Sequence, residues 1–134
     1  MKITKEELIK RFDGTSTEPK PSLIVVHFKE IPNRMQKNPL PLAHFCYIIL
    51  DVASSSDDPN IKYVVYQNLE TGCVWVREIN DFFEYHDVLF PSGRSDTFPR
   101  FAEAIDCDLN ELKKNPNTIH PKLRDLIRLI GETK

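Results

Sequence analysis

The chain has 134 residues, of which 40% are hydrophobic and 28% are charged, and its formal net charge is −2 at pH 7. This size and balance predict a single domain, residues 1–134, and exclude a disordered or fibrous chain. No apolar run approaches the roughly 20 residues of a membrane-spanning helix, and no apolar leader follows Met1, so we expect a cytoplasmic protein with no membrane partner.

The N-terminal third predicts one helix, one strand and a long loop. The sequence TKEE over 4–7 has the capping-box form, and apolar residues follow it at helical spacing until Gly14. A linker over 15–21 then leads to a β-branched run over 23–28, which is typical of a strand. Residues 30–45 contain three prolines and no regular periodicity, and this predicts a long ordered loop.

The middle of the chain predicts three strands in an acidic stretch. The first strand spans 46–53, and two shorter ones, 63–67 and 73–78, form a hairpin around the turn Asn68–Gly72. Residues 46–90 contain two basic and eight acidic residues, a net charge of −6. Any surface that binds phosphate groups is therefore expected outside this sheet.

The register of the hairpin decides which side chains share a face. If Tyr63 lies opposite Arg77, then Trp75 joins them, because cross-strand partners and alternate residues point the same way. The other face then carries four side chains suited to a core: Val64, Tyr66, Val74 and Val76. A slip of one residue would exchange the two faces.

Beyond the hairpin the pattern becomes mostly helical. We expect a short helix over 79–85 and a strand over 86–90. Residues 102–134 then form a C-terminal helical extension. Within it, a second capping box begins a helix at Asp108, and Pro121 suits the first turn of the last helix.

Five separated pieces of the chain follow one another in a distinctive order. They are His27-Phe28-Lys29, Tyr47-x-Ile49-Leu50-x-Val52-Ala53, Val64-Val65-Tyr66, Trp75-Val76-Arg77 with Phe82 or Phe83, and Pro99-Arg100-Phe101. In this order they resemble the Domain of Unknown Function 1653 family of bacteria. Members are similar to SH3-type barrels, so the resemblance implies a mainly β fold: a small SH3-like β-barrel or roll over 22–101, with a short N-terminal helix and C-terminal helices. It implies no activity.

The face of Tyr63, Trp75 and Arg77 is the leading candidate for a site. Aromatic rings beside a guanidinium suit a peptide or a small ligand, with Arg77 orienting a carboxylate. His27 can titrate near neutral pH and is the fourth candidate ligand-binding residue. The opposing interpretation is that Trp75 packs beneath the terminal helices while Arg77 pairs with a nearby carboxylate. We predict a non-catalytic binding module and leave a homodimer open.

A metal-dependent function is the first alternative. Four side chains within seven residues offer oxygen and imidazole ligands: Asp81, Glu84, His86 and Asp87. Such groups can hold a divalent metal or act as general acid and base. A solvated turn explains the same composition, and no Gly-rich phosphate loop, G-x-S-x-G or H-E-x-x-H motif occurs. We assign no catalytic residue, no metal ligand and no cofactor.

Nucleic-acid binding is the second alternative, and the less favoured one. The last third contains a modest basic group: Lys113, Lys114, Lys122, Arg124 and Arg128. Glu111 and Asp125 interrupt it, and lysines on helix surfaces are usually solvated.

The cysteines, Cys46, Cys73 and Cys107, lie far apart without a CxxC pair. We expect reduced, packed thiols.

Overall fold

The structure, a computed structural model, describes residues 4–12, 23–27, 40–90 and 92–129. The predicted linker over 15–21 lies outside the described residues, as does most of the predicted loop over 30–45. In the described part of the chain, no helix combines the length and the apolar character needed to cross a membrane.

Four helices and seven strands make up the described residues. The helices are α1 (Lys5–Phe12), α2 (Ile79–Phe82), α3 (Asp106–Lys114) and α4 (Arg124–Leu129). The strands are β1 (Ile24–His27), β2 (Cys46–Ser54), β3 (Lys62–Asn68), β4 (Val74–Glu78), β5 (Tyr85–Leu89), β6 (Ser95–Pro99) and β7 (Phe101–Glu103). Three 3-10 turns span Leu42–Phe45, Pro116–Thr118 and Pro121–Leu123. A mainly β fold with a short N-terminal helix and C-terminal helices is therefore confirmed.

Five strands form one antiparallel sheet in the order β4-β3-β2-β1-β7, and β5 pairs with β6 in a separate hairpin. Among the described residues, β4 and β7 are the two edges of the large sheet and do not pair with each other. The sheet is thus open, and a closed barrel is not formed.

The large sheet curls strongly even though it stays open. The rings of Tyr66 on β3 and Phe101 on β7 have centroids only 5.3 Å apart, although two strands lie between them. In a flat sheet, three strand spacings would separate these backbones by about 14 Å. The face that carries both rings is therefore concave.

The concave face holds one of two hydrophobic clusters. Helices α1 and α2 and the inward residues of four strands form it: Leu8, Phe12, Leu23, Val25, Ile49, Val64, Tyr66, Ile79, Phe82 and Phe101. Helix α1 begins as the capping box predicts, because Thr4 Oγ1 accepts a hydrogen bond from the Glu7 N–H at 3.1 Å. Its apolar residues Leu8 and Phe12 are buried.

The convex face is covered only at one end. Helices α3 and α4 and the 3-10 turns cover β1 and the start of β2: Ile24, Val26, Leu42, Ala43, Cys46, Ile48, Leu69, Leu112, Ile119, Leu123 and Ile127. No residue of β4 belongs to either cluster of buried residues as far as the structure describes them. The core therefore stops before the β4 edge.

The predicted hairpin register is wrong by one residue. Tyr66 lies opposite Trp75 and Val64 opposite Arg77, whereas Tyr63 lies opposite Glu78. The cause is Asn68, which extends β3 and closes the turn: its N–H donates to the Cys73 carbonyl at 2.9 Å, and its side-chain Oδ1 accepts from the N–H groups of residues 70 and 71. Gly72, at φ 77, completes the turn in the left-handed region.

Candidate functional site

Strand β4 presents an apolar and largely exposed edge. The exposed fractions of Val74, Trp75 and Val76 are 54%, 53% and 62%. We predicted that Val74 and Val76 face a core, and this is wrong, because the register turns them to the convex face where α3 and α4 do not reach. Trp75 projects from the other face and is not covered by the terminal helices, so the opposing interpretation of Trp75 is also wrong. Three consecutive apolar side chains are accessible.

The backbone of β4 is accessible along the same edge. The bond between the Asn68 N–H and the Cys73 carbonyl marks these two as a hydrogen-bonded pair. Because such pairs alternate in antiparallel ladders, Trp75 and Arg77 direct their backbone groups to β3. Val74 and Val76 must then direct their N–H and C=O groups away from the sheet. Within the described residues no further strand pairs with them.

The four predicted ligand-binding residues do not form one site. Trp75 and Arg77 share the concave face, but Tyr63 lies on the convex face. His27 lies on β1, where its ring stacks on Phe101 with centroids 4.6 Å apart. Three strand positions therefore separate His27 from Trp75, and the structure brings only Trp75 and Arg77 together.

Arg77 is held by partners within the protein. Its Nε donates to the Tyr66 hydroxyl at 3.1 Å, and its Nη1 donates to Asp81 Oδ2 at 2.8 Å. Burial lowers the pKa of the Arg77 guanidinium, but the hydrogen bonds to Tyr66 and Asp81 outweigh burial and leave that pKa above its usual value. The alternative in which Arg77 pairs with a local carboxylate is thus the observed geometry.

A second arginine, which the sequence did not single out as a site residue, joins this cluster. Arg100 is buried, with a side chain only 9% exposed. Its Nη2 lies 3.4 Å from Asp81 Oδ1, and its Nε donates to the Asp81 carbonyl at 3.2 Å. Arg100 stood in the sequence only as part of the Pro99-Arg100-Phe101 piece, and its pairing depends on a residue 19 positions away.

Asp81 therefore bridges two guanidinium groups. The hydrogen bond from Arg77, supported by the charge of Arg100, holds the pKa of the Asp81 carboxyl below its ordinary value. Since Arg77 belongs to β4 and Arg100 immediately precedes β7, one carboxylate connects the two edges of the curled sheet. We call Arg77, Asp81 and Arg100 the bridging cluster.

Two of the four residues of the predicted metal cluster, Asp81 and Glu84, stay together through a side-chain hydrogen bond, whereas His86 and Asp87 lie on β5. Asp81 lies between the two arginines, and Asp87 accepts a hydrogen bond from Thr97 Oγ1 at 2.7 Å across the β5–β6 hairpin. His86 lies on β5 opposite Phe98. Across the described ranges, no three histidine, cysteine or acidic side chains are arranged to hold a metal ion.

The structure also shows the exposure of the three cysteines and the positions of the basic residues. Cys46 is buried, whereas Cys73 and Cys107 are exposed, and all three are free thiols; packing was predicted wrongly for the latter two. Of the basic residues, Lys113, Arg124 and Arg128 border one groove. Lys114 and Lys122 are exposed and do not border it. The basic group is thus divided.

Comparison of the chain with protein-family models, with curated proteins and with solved structures gives no match. The resemblance to the Domain of Unknown Function 1653 family, and with it the SH3-like relationship, stays a prediction. Function is therefore inferred from the geometry of β4 and its surroundings.

Proposed function

We propose that the protein is a non-catalytic binding module that takes an extended peptide along the edge of β4. The observation that supports this most is the accessibility of Val74, Trp75 and Val76, all of which are more than half exposed. Exposed, flat, apolar edges are normally blunted by charge, proline or a covering element. β4 has none of these between Val74 and Val76, so the edge is suited to a partner strand.

The peptide would add a sixth strand to the sheet. Its backbone would bond to the outward N–H and C=O groups of Val74 and Val76, and its alternate side chains would contact Trp75 on one face and the two valines on the other. Trp75 supplies the largest apolar area and is the expected anchor. Arg77 contributes indirectly, because its bonds to Tyr66 and Asp81 hold the end of β4 in place.

Charge favours a peptide with a basic residue near one end. β4 ends at Glu78 and Glu84 follows α2, whereas the intervening Asp81 is already paired with Arg77 and Arg100. Residues 46–90 as a whole carry a net charge of −6. A lysine or arginine beside an apolar stretch would therefore be attracted to the α2 end of the edge.

Three further predictions belong to this proposal. The sequence alone supports them: that the curled sheet is related to SH3-like folds, that the protein is cytoplasmic, and that its partner is a protein segment. A homodimer would use the same edge, since two β4 strands can pair antiparallel about a two-fold axis. That pairing would compete with the peptide.

The test distinguishes the contribution of the β4 backbone to peptide binding from the contribution of the β4 side chains. Peptides are selected from a random displayed library on the full chain, and their binding is followed by the emission of Trp75, the only tryptophan. Val76→Pro removes an outward N–H without touching the bonds to β3, so we expect at least tenfold weaker binding, which is about 1.4 kcal/mol. Val76→Thr keeps that N–H and serves as the matched control.

The stability of each variant is measured by chemical denaturation before binding is compared. We expect Val76→Thr to change the free energy of unfolding by less than about 1 kcal/mol, because the side chain is exposed. We expect Val76→Pro to lower it further, because proline restricts the backbone of its own residue and of Trp75, so binding is compared under conditions in which both variants are folded. The proposal would be wrong if the selected peptides bind Val76→Pro as tightly as the wild type, or if their binding leaves the emission of Trp75 unchanged.

A further inference from the structure

The exposed side chains of the β4 edge read the same in both directions. Val74, Trp75 and Val76 form a short palindrome centred on the indole, and all three are more than half exposed. A two-fold axis sets a strand antiparallel to its own copy, so that each residue faces the residue at the same distance beyond the axis. A palindromic strand is therefore matched, side chain for side chain, by a second copy of itself.

The hydrogen bonds between β4 and β3 restrict how two copies can pair. Trp75 and Arg77 direct their backbone groups to β3. Val74 and Val76 direct theirs outward, and an antiparallel ladder joins an outward residue only to another outward residue. Every register in which an outward residue would face Trp75 or Arg77 is thus excluded. The axis must pass through a residue of β4 and not between two residues.

The side chains then select one axis. An axis at Arg77 would set the two guanidinium groups opposite each other, and like charges in that position repel. An axis at Val76 would set each Glu78 opposite a Val74, and an axis at Val74 would set each Val76 opposite a residue of the turn. Of these axes, only one at Trp75 sets indole opposite indole and valine opposite valine.

We propose that a second copy of this chain is a partner of the β4 edge, paired antiparallel about a two-fold axis at Trp75. Val74 of each copy exchanges both N–H···O=C bonds with Val76 of the other, and the two indoles lie directly opposite each other on the concave side. The two sheets, of five strands each, become continuous across the axis. The inference rests on the same accessible edge as the proposed function and names a specific partner for it.

The charges at the edge are compatible with this contact. Glu78 of one copy lies opposite position 72 of the other, so the two Glu78 carboxylates stand at opposite ends of the ladder, about 20 Å apart. This separation exceeds the Debye length of about 8 Å at physiological ionic strength. The acidic ends of the two copies therefore repel each other only weakly.

The size of the contact predicts a weak dimer. One strand and three exposed side chains from each copy bury less than the roughly 1,200–2,000 Å² that is typical of stable complexes. We expect a Kd on the order of 10–100 µM. Self-pairing would therefore mask the edge only in concentrated protein, and a peptide that binds the same edge would dissociate the dimer.

The oligomeric state at different concentrations tests the dimer. Sedimentation velocity of the full chain between about 1 and 500 µM spans the expected Kd and should show a shift from monomer to dimer. Val76→Lys places a charge opposite a valine and should weaken the dimer at least tenfold. Leu89→Lys makes the same change at an exposed residue of β5 and should leave the dimer unchanged. Thermal unfolding checks that both variants are folded.

Engineered cysteines test the register, after the exposed Cys73 and Cys107 are replaced by serine. In the proposed register, positions 74 and 76 of different copies face each other with Cα atoms about 5.5 Å apart, which permits a disulfide. Each position lies more than about 7 Å from its own copy, which does not. Val74→Cys and Val76→Cys should therefore cross-link under mild oxidation only when the two variants are mixed.

Three results would overturn the inference: a chain that stays monomeric at about 500 µM, far above the expected Kd; equal weakening of the dimer by Val76→Lys and Leu89→Lys; and cross-linking of either cysteine variant on its own, which assigns a different axis. Peptide selection decides the proposed function separately. Peptides that bind a strictly monomeric chain leave that function standing, whereas a dimer that no selected peptide dissociates contradicts the peptide and not the second copy.

Discussion

The two edges of the curled sheet carry one aromatic residue each and use it in opposite ways. Phe101 on β7 is 6% exposed, and its ring stacks on Phe82 with centroids 4.3 Å apart. Trp75 on β4 is 53% exposed. β7 has only three residues, and short strands are one means of protecting an edge. One edge therefore completes the core, and the other remains open to a partner.

The difference follows from where the covering elements lie. The curl brings Phe101 over the concave face, where α1 and α2 also pack. On the convex face, α3 and α4 pack over β1 and β2, and no described residue of β3 or β4 belongs to the cluster that they form. An aromatic residue in an edge strand is thus a core residue or a surface residue according to what the neighbouring helices reach.

The largest expected effect comes from truncating the two aromatic residues in parallel. Phe101→Ala should lower the free energy of unfolding by about 3–5 kcal/mol, because it leaves a cavity beside Phe82 and Tyr66. Trp75→Ala should lower it by less than about 1 kcal/mol, since the indole is more than half exposed. Urea denaturation followed by circular dichroism measures both. A similar decrease in the free energy of unfolding in the two variants would contradict the proposed difference between the edges.

The bridging cluster should give the next largest effect, because it connects the two edges. Asp81→Asn leaves the buried Arg100 without its only charged partner among the described residues. Breaking a buried pair costs about 3–5 kcal/mol. Asp81 is 41% exposed, and solvent screening reduces the expected loss to about 2 kcal/mol.

Asp57→Asn is the matched control for that change, since Asp57 is exposed in the turn between β2 and β3. It should change the free energy of unfolding by no more than about 0.5 kcal/mol. Equal effects at positions 57 and 81 would show that the bridge between the edges contributes nothing to stability.

The smallest expected effect is a dependence on pH. Because the pKa of Asp81 is lower in the folded protein than its ordinary 3.8, the unfolded chain takes up its proton first as the pH falls. The stabilisation by Asp81 is therefore complete above the unfolded pKa and is lost as the pH falls through the folded one.

Thermal unfolding of the wild type and of Asp81→Asn between about pH 6 and pH 2 checks this sign. The stability difference between the two proteins should be constant down to about pH 5 and should shrink below about pH 4. A difference that stays constant over the whole range would mean that Asp81 is not the titrating group.

The strand pattern was largely predictable from the sequence, and the register was not. β2 and β3 lie within one residue of their predicted bounds, because both are β-branched and aromatic runs bounded by turn residues. The register failed at Asn68, whose side chain bonds to the turn that follows and so extends β3. β6 was missed, because its sequence SDTFP shows no apolar alternation.

The site was only partly predictable, for a related reason. The sequence correctly placed Trp75 and Arg77 on one face and Val74 and Val76 on the other. This follows from the alternation of side chains along a strand, which does not depend on the strand that pairs with it. The sequence placed Tyr63 with Trp75 and Arg77 wrongly, because that depended on the register. The burial of Arg100 depends on the curl of the sheet and on Asp81, neither of which leaves a local pattern.

The open edge of β4 also bears on how the protein behaves when it is concentrated. An accessible apolar strand is a template for sheet extension between molecules, and the risk of aggregation rises with concentration. A bound peptide would occupy that template, so a partner supplied during expression should increase the yield of soluble material. A lysine in place of Val76 should have the same benefit without any partner.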